Sequence, residues 1–414
     1  MTRPSDPARA ALVRLVRDEG RRVLATLVRV TGDLQLAEDA VQDATVRALE
    51  AWPRTGVPPE PRAWLTLAAR RRAIDLLRRE SARTGKEAEA VSLLDRGDSE
   101  DAPEVLRDDM LRLIFTCCHP SLSFPTRVAL ALRTLCGLST VEVGRALLVP
   151  EATMTKRLTR AKEKIRTTAI PYRVPADHEL PDRLLGVAAV VYLLFNEGYS
   201  ATAGEDPLRP ALVEEAVRLA RLLHEVMPGE PSVLGLLALM LLQDSRREAR
   251  HGPDGQPVLL AEQDRRRWRR DLIAEGVVLV GAGLRRCPDR PDPYVVQAAI
   301  AACHALAPTW EETDWTAVLS WYAALLSVHD TPVVRLNRAV AVGELRGDLA
   351  GLAELDVIPG LEGYPLWHAA RAELLLRLKR AGEARTAFAA ALALPQNGVQ
   401  HAHLSRRLDA AASA

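Results

Sequence analysis

GLSTVEVGRALLVPEATMTKRLTRAKEKIR, residues 137–166, predicts two helices joined by a short turn. Ser139 is a favourable N-cap, and Glu142 three residues later completes a capping box. Pro150 suits the first position of a second helix, because it has no N–H to lose there. Apolar residues recur at helical spacing in both helices: Val141, Val143, Ala146 and Leu147, then Met154, Leu158, Ala161 and Ile165. This arrangement is typical of a helix-turn-helix.

The second predicted helix is rich in cations. They are Lys156, Arg157, Arg160, Lys162, Lys164 and Arg166. Such a helix can lie in a major groove, with its early residues on base edges and its later cations on phosphates. The alternative is an amphipathic surface helix with solvated charges. Leu148 stands where such turns often have Gly, so the sequence leaves the turn geometry open.

The 414-residue chain is long enough for two or three domains. Its formal net charge is only +1, so a nucleic-acid role must rest on local basic patches. Five irregularly spaced cysteines do not suggest a disulfide framework, and the charged N-terminus lacks the apolar core of a signal peptide. The apolar runs are shorter than the ~18–20 residues of a membrane span. We therefore expect a cytoplasmic protein without a membrane partner.

Three helices are predicted before this stretch. Residues 8–30 and 34–52 have apolar positions at helical spacing, and Asp33 is placed to cap the second helix. The outer side of that helix is acidic, which by default is a solvated face. A proline-rich loop at residues 53–61 precedes a helix at residues 62–79. This helix has two clusters that contain only positive charge, and such clusters suit phosphates. These residues are Arg70, Arg71, Arg72, Arg78 and Arg79.

Two of these segments carry a family resemblance when taken together with the helix-turn-helix. They are AEDAVQDA, residues 37–44, and PRAWLTLAARRRAIDLLRR, residues 61–79. In this order the three motifs resemble a bacterial RNA polymerase sigma factor of the extracytoplasmic-function type, over roughly residues 8–170. A generic helix-turn-helix protein has no reason to carry the first two motifs.

The resemblance implies a domain organisation and two partners, core RNA polymerase and promoter DNA. Residues 1–80 would bind core polymerase and the −10 element, residues 81–109 would be a flexible acidic linker, and residues 110–172 would bind the −35 element. The loop at 53–61 would capture a flipped base of the −10 element. The polymerase-binding residues would be Glu38, Asp39, Gln42 and Asp43. The −10 contacts would be Trp64, Arg70, Arg71, Arg78 and Arg79. The −35 contacts would be Thr153, Thr155, Lys156, Arg157, Arg160 and Lys162.

Residues 173–414 are predicted to be helical almost throughout. Two stretches, 315–342 and 364–394, have a helix–turn–helix pattern, and the second resembles a tetratricopeptide repeat with Gly382 at its turn. The chain is similar to an extended subgroup of these sigma factors in which a fused C-terminal domain takes over control usually exerted by an anti-sigma factor. An intramolecular contact between this domain and the sigma domains is therefore expected.

Two motifs of this extension are open to more than one interpretation. In FNEGY, Gly198 is expected to close a helix, while Asn196 and Glu197 either form a local helix end, contact the sigma domains or line a ligand site. The polar residues 262–265, EQDR, suggest a contact surface. Asp254-Gly255 is a tight-turn signal for a small hairpin.

The sequence as a whole predicts an all-α protein with two small helical domains, a flexible linker and a repeat-like helical extension. The alternative function is a stand-alone DNA-binding regulator switched by the repeat domain, which leaves residues 37–44 unexplained. An enzyme in residues 184–414 is a third hypothesis, but P-loop, HExxH and GxSxG motifs are absent, so we predict no catalytic residue and no cofactor. A zinc site is disfavoured because no CxxC pair is present, and a packed helix end is the preferred interpretation. The candidate ligands of such a zinc site would be Cys117, Cys118, His119 and Cys136.

Overall fold

The computed structural model contains eighteen α-helices and no β-strand among the residues it describes, so the predicted all-α class is confirmed. The chain folds into two compact units, Met1–Leu194 and Phe195–Ala414. None of the helices in the described ranges has an apolar stretch long enough to cross a membrane. The described residues are 7–84, 108–147, 149–199, 209–252, 256–394, 396 and 398–412.

Three helices form the first part of unit 1, and each packs on the other two: α1 (Pro7–Thr31), α2 (Leu34–Thr55) and α3 (Pro61–Thr84). Asp33 caps α2 as predicted, because its carboxylate accepts hydrogen bonds from the backbone N–H groups of Gln35 at 2.8 Å and Leu36 at 3.0 Å. Trp52 is buried between the helices. It packs in a core with Ala8, Leu12 and Ala48.

The end of α2 differs from the sequence prediction. The helix continues through Pro53, so the predicted loop at 53–61 is shortened to residues 56–60. Pro53 removes only one N–H in the last turn, and Gly56, with φ of 81°, ends the helix by donating its N–H to Trp52 O at 3.0 Å. Leu49 is one of the apolar residues at helical spacing in the predicted helix at 34–52, a spacing that predicts a core position, but it is 42% exposed.

Four helices form the second part of unit 1: α4 (Asp109–Cys117), α5 (Phe124–Thr134), α6 (Thr140–Ala146) and α7 (Glu151–Thr167). The capping box of α6 is complete. Ser139 N donates to Glu142 Oε2 at 2.7 Å, and Glu142 N donates to Ser139 Oγ at 3.2 Å. The helix-turn-helix prediction is therefore confirmed in its two helices, while Leu148 lies outside the described residues.

The side chains of α6 and α7 mostly lie where the periodicity predicts. The apolar stripe of α7 is buried: Met154, Leu158, Ala161 and Ile165. Val143 is buried too, but Val141 is exposed. Pro150 is the N-cap of α7 and not its first residue, because the helix begins at Glu151.

The predicted linker at 81–109 overlaps a helix at each of its ends. Its first four residues belong to α3, and its last residue, Asp109, begins α4. Asp108 caps α4 by accepting a hydrogen bond from the backbone N–H of Leu111 at 2.8 Å. Residues 85–107 lie outside the described residues.

The helix α8 (Leu180–Tyr199) begins in unit 1 and ends in unit 2. Its first half packs against the turn after α4, where the Cys118 thiol donates to Gly186 O at 3.5 Å. The sequence suggested that Gly198 closes the helix. Instead, Gly198 lies within the helix, which ends at Tyr199. A Cβ at this position would lie 2.7 Å from Val213 N, so glycine is needed there for close packing of the next helix.

The rest of unit 2 is built from ten helices within the described residues. They are α9 (Pro210–Val226), α10 (Pro231–Asp244), α11 (Arg270–Arg286), α12 (Pro293–Leu306), α13 (Trp315–Val328), α14 (Pro332–Arg346), α15 (Asp348–Asp356), α16 (Pro365–Arg377), α17 (Ala381–Leu392) and α18 (Gly398–Ala412). The almost wholly buried α10 packs against α11 and α12 at the centre of this part of unit 2. The two predicted helix pairs correspond to α13–α14 and α16–α17, although Gly382 lies in the first turn of α17 and not between the helices.

Candidate nucleic-acid interface

The α7 residues predicted to contact DNA do not all have the same surroundings. Thr153, Thr155, Lys156 and Arg160 are exposed. Arg157 is half-buried. At 100° per residue, Lys156 and Arg160 lie on the side of α7 opposite to its buried stripe. This side can therefore approach a partner without disturbing the core.

Lys162 is held by α2 instead. Its ammonium forms an ion pair with Glu38 and donates a hydrogen bond to Gln35 Oε1 at 3.1 Å. The side chains of Lys162 and Glu38 are only 14% and 16% exposed. A residue predicted to bind DNA and one predicted to bind polymerase are thus bonded to each other. No local sequence pattern predicts this contact, because the two residues are 124 positions apart.

The other predicted polymerase-binding residues of α2 also differ. Asp39 and Gln42 are exposed, and Asp39 accepts a hydrogen bond from Gln35 Nε2 at 2.9 Å. Asp43 instead accepts from Arg72 Nε at 2.5 Å and so ties α2 to α3. Arg72 is consequently half-buried and is not part of the exposed arginine set of α3.

An exposed apolar patch borders this acidic face and was missed from the sequence. The name covers the exposed side chains of Val13 and Val16 on α1 and of Val46 and Leu49 on α2, of which Val16 and Val46 line the same cavity. Apolar residues at helical spacing are normally core residues, so only the packing could reveal that these four are exposed. Contiguous exposed apolar residues rimmed by polar groups mark contact sites for other molecules.

A cavity of about 560 Å³ lies between this face and the turn before α6. One wall contains Val16 of α1 and Glu38, Asp39, Gln42 and Val46 of α2. The opposite wall is formed by residues 133–137. Three of the four predicted polymerase-binding residues therefore face the helix-turn-helix part of unit 1.

The predicted −10 residues lie along α3. Arg70, Arg71, Arg78 and Arg79 are exposed. Trp64 is half-buried because it packs edge-on against Trp52, with ring centroids 5.5 Å apart and an interplanar angle of 67°.

A depression of about 450 Å³ opens at the start of α3, directly after the loop at 56–60. Thr66, Leu67 and Arg70 supply a hydroxyl, an apolar surface and a guanidinium on its wall, and Glu60, Arg62 and Ala63 complete it. This combination suits a planar group that carries both apolar faces and hydrogen-bonding edges.

The cysteines near the end of α4 are packing residues. Cys117 and Cys118 are fully buried. Burial raises the pKa of the Cys118 thiol to about 12, and burial, with a smaller effect from Cys118, raises that of Cys117 well above its ordinary value. Both thiols are therefore protonated at neutral pH. No group of three His, Cys, Asp or Glu residues within the described ranges could hold a metal ion, and α4 ends at Cys117, as the packed-helix-end interpretation predicts.

Two arginines satisfy carbonyl groups at helix ends inside unit 2, one bound to the FNEGY motif and the other part of EQDR. The Arg250 guanidinium lies 3.6 Å from the ring centroid of Tyr199 and donates to Tyr199 O at 2.8 Å, at the end of α8. Arg265 Nη1 donates to His304 O and Ala307 O, both at 2.6 Å, at the end of α12. FNEGY therefore supplies a terminal carbonyl, at Tyr199, and EQDR supplies the arginine that satisfies the end of α12.

The prediction that residues 262–265 form a contact surface is wrong for two of the four residues. Gln263 and Arg265 are buried, whereas Glu262 and Asp264 are exposed. The hairpin turn expected at Asp254-Gly255 lies outside the described residues. The chain pairs on either side of it, since Gly252 N donates to Gln256 O at 2.9 Å and Val258 N donates to Arg250 O at 2.8 Å.

Three family descriptions match the chain in succession. Sigma-70 region 2 matches residues 15–83, sigma-70 region 4 matches residues 112–165, and a family of unknown function, DUF6596, matches residues 183–283. The first two cover the helices that carry the predicted −10 and −35 residues. The third covers the FNEGY and EQDR motifs.

Several curated proteins are similar to the chain. An uncharacterized protein of Rhizobium meliloti is 44% identical over 394 residues, covering 94% of this chain and 93% of the relative. The ECF RNA polymerase sigma factor SigL of Mycobacterium tuberculosis is 32% identical over 165 residues, covering 39% of this chain and 90% of SigL. The probable ECF RNA polymerase sigma factor SigI of the same species is 29% identical over 161 residues, covering 37% of this chain and 54% of SigI. No solved structure matches the chain significantly.

Proposed function

Since the chain belongs to the family of ECF RNA polymerase sigma factors, we propose that it binds core RNA polymerase and directs it to promoters. The main support is the presence of two exposed cationic faces on separate helices of unit 1. Arg70, Arg71, Arg78 and Arg79 lie on α3, and Lys156 and Arg160 lie on α7. Two such faces suit a protein that grips one promoter at two elements.

We propose that α7 contacts the −35 element. Thr153 and Thr155, in the first turns of the helix, would reach base edges, and Lys156, Arg157 and Arg160 would contact bases and phosphates. Lys162 would join them only after leaving Glu38. Each phosphate contact contributes to a salt-dependent affinity through counterion release.

We propose that α3 and the loop before it act on the −10 element. The exposed arginines would neutralise phosphates of the duplex and of the separated strand. Trp64 would support this site by packing on Trp52. The depression lined by Thr66, Leu67 and Arg70 would accept a flipped base, since its apolar and polar groups can offset the few kcal/mol that unstacking costs.

We propose that core polymerase docks on α2 and the neighbouring surface of α1. Glu38, Asp39 and Gln42 would supply polar contacts, and the apolar patch would supply the buried area on which protein–protein affinity depends. Asp43 would contribute indirectly, by holding α2 against α3 through Arg72.

We further infer that the helical extension regulates these activities through intramolecular contact with the sigma domains. No enzymatic role and no cofactor are proposed for it. Because polymerase and promoter DNA occupy the bacterial cytoplasm, we place the chain there as well.

Transcription in vitro with purified core polymerase and a promoter library tests the proposal. Full-length protein is compared with two shortened forms, one ending at Tyr172 and one ending at Leu194. The longer form is needed because residues up to 194 belong to unit 1 and Gly186 contacts Cys118. Promoter-specific initiation by any form supports the proposal. Tight DNA binding without polymerase, and no initiation by any form, would favour the stand-alone regulator.

The shortened forms also test regulation by the extension. If the form ending at Leu194 initiates more strongly than full-length protein, the extension inhibits. If it initiates more weakly although its unit 1 remains folded, the extension assists. Equal activity of the two forms would contradict regulation by residues 195–414.

A further inference from the structure

The helix-turn-helix part of unit 1 is fastened to the face of α2 that we assign to polymerase. Lys162 of α7 pairs with Glu38, and both side chains are largely removed from solvent. Ion pairs in such surroundings are less screened by salt than exposed ones. The contact therefore favours one arrangement of the two parts of unit 1.

Two more contacts hold the same arrangement without involving proposed binding residues. The Tyr172 hydroxyl lies 2.7 Å from Ala25 O on α1 and 2.6 Å from Asp109 O on α4. Arg29 of α1 pairs with Asp109 at 3.0 Å. These residues link the N-terminal helices to the start of the helix-turn-helix part from a second direction.

Residues 133–137 stand opposite the proposed docking face. A cavity separates them from Glu38, Asp39 and Gln42 of α2. An α-helix with its side chains is about 10–12 Å wide. A partner helix that docks on these three residues must therefore enter between α2 and residues 133–137 or displace residues 133–137.

We propose that this arrangement is a self-inhibited state, in which the helix-turn-helix part covers the polymerase-docking face of α2 until polymerase displaces it. The proposal rests on the function proposed above. In this state Lys162 is a positioning residue bound to Glu38, and in the open state its ammonium becomes available to a promoter phosphate. The two uses exclude each other, because one ammonium cannot hold Glu38 and a distant phosphate together.

This exclusion links polymerase binding to promoter binding. Only the open fraction of the protein can dock, so the apparent affinity for core polymerase is reduced in proportion to that fraction. A promoter phosphate that binds the Lys162 ammonium breaks its ion pair with Glu38 and so favours the open state. By thermodynamic linkage, DNA bound at α7 and polymerase bound at α2 strengthen each other's binding by the same factor.

Acetylation of lysines in the full-length protein measures the closed state directly. Lys162 and Lys156 lie on the same helix, and Lys156 is exposed, so Lys156 serves as the internal reference. With an amine-reactive acetyl ester and mass spectrometry, we expect Lys162 to react several-fold more slowly than Lys156 in the protein alone. We expect the difference to shrink when core polymerase is added without DNA. Equal rates for the two lysines in the protein alone would overturn the proposal.

Variants at the second set of contacts test its effect on polymerase. Tyr172→Phe and Arg29→Gln each weaken the closed state without altering a residue assigned to polymerase or DNA. We expect each to speed Lys162 acetylation and to bind core polymerase about threefold to tenfold more tightly than the unmodified protein. Tyr364→Phe is the control, because its hydroxyl belongs to unit 2 and should change neither property.

The outcomes separate this proposal from the function on which it rests. If no form binds core polymerase, the proposed function is wrong, whatever the lysine rates. If the unmodified protein binds polymerase but both folded variants bind no more tightly, the closed state does not compete with polymerase and the self-inhibition proposal is overturned. Circular dichroism confirms that each variant is folded before the comparison.

Discussion

Arg160 and Lys162 are two residues apart on α7, yet their surroundings differ. Arg160 is exposed, whereas Lys162 is bound to Glu38 on another helix. Both are cations in the same predicted DNA-reading helix, so residue type does not distinguish them. Their position around the helix does, because the two side chains are separated by about 200°.

Replacing Arg160 by alanine should weaken −35-dependent initiation and leave binding to core polymerase intact. The exposed guanidinium is expected to hold one phosphate or base, so its loss should lower promoter affinity by about 1–3 kcal/mol if it reads a base. If it holds a phosphate, the salt slope of DNA binding should fall by about one. The measurements are promoter titrations at several salt concentrations, with Arg385→Ala, an exposed helical arginine of unit 2, as the control. Loss of core binding in Arg160→Ala would contradict this division of roles.

His304 should make the stability of unit 2 depend on pH. Burial, assisted by Arg246 and Arg265, lowers its pKa from 6.5 to about 4 in the folded protein. The unfolded chain therefore binds a proton between those values while the folded protein does not, so this contribution to stability is complete above pH 6.5 and is lost as the pH falls towards 4. Between pH 7 and 5 the loss is about 2 kcal/mol.

Denaturant unfolding at pH 7 and pH 5 tests this effect, with His304→Gln as the comparison. We expect the variant to lose less stability over this interval than the unmodified protein, because glutamine does not titrate. An identical loss in both proteins would show that other groups cause the pH dependence.

At the scale of the helices, Gly235 of α10 allows the closest approach in the core of unit 2. A Cβ at this position would lie 2.3 Å from Val295 N and 2.7 Å from Tyr294 C on α12. Gly235→Ala should therefore force the two helices apart and destabilise the protein by about 1–3 kcal/mol or more. Gly281→Ala on α11 is the matched control, since its Cβ would meet only the flexible end of Arg285 at 3.4 Å.

The control should be neutral or stabilising by up to about 1 kcal/mol, because alanine favours a helix more than glycine does. Urea unfolding midpoints of the two variants and the unmodified protein give the comparison. Equal midpoints for the two variants would mean that α10 and α12 do not pack as closely as described.

Helix ends could be predicted from the sequence where the decisive bonds are local. Asp33 and the Ser139–Glu142 box bond to backbone groups within three residues, and their roles follow from spacing alone. Pro53 and Gly198 were misinterpreted because both are usual helix-ending residues. The helix continues past Pro53, and Gly198 is required by close packing with Val213, which only tertiary structure reveals.

The candidate site was predictable in its residue types and the order of its motifs, but not in its pairings. Lys162 and Arg160 could be selected from charge and periodicity, whereas Glu38 was selected only through the family resemblance. The Glu38–Lys162 and Asp43–Arg72 pairs join different helices, and a single sequence contains no signal for them. Leu49 shows that the burial of an apolar residue is also not fixed by its spacing in the sequence. Its helical spacing suggested the core, while its surface position depends on how α1 and α2 pack.

The molecule as a whole is divided at Leu194, inside α8. A helix advances by 1.5 Å and turns by about 100° with each residue. Insertion of one alanine after Leu194 would rotate the following residues by about 100°, whereas seven alanines would return them to within about 20° of the original phase.

Promoter-specific transcription by the two insertion variants should reveal whether this phase matters. If the extension acts through α8, the one-alanine insertion should change initiation and the seven-alanine insertion should largely restore it. Equal activity in all three proteins would show that control does not pass along the helix. If control does pass along α8, added length should be tolerated only near whole turns, because only these restore the angular phase of the residues that follow.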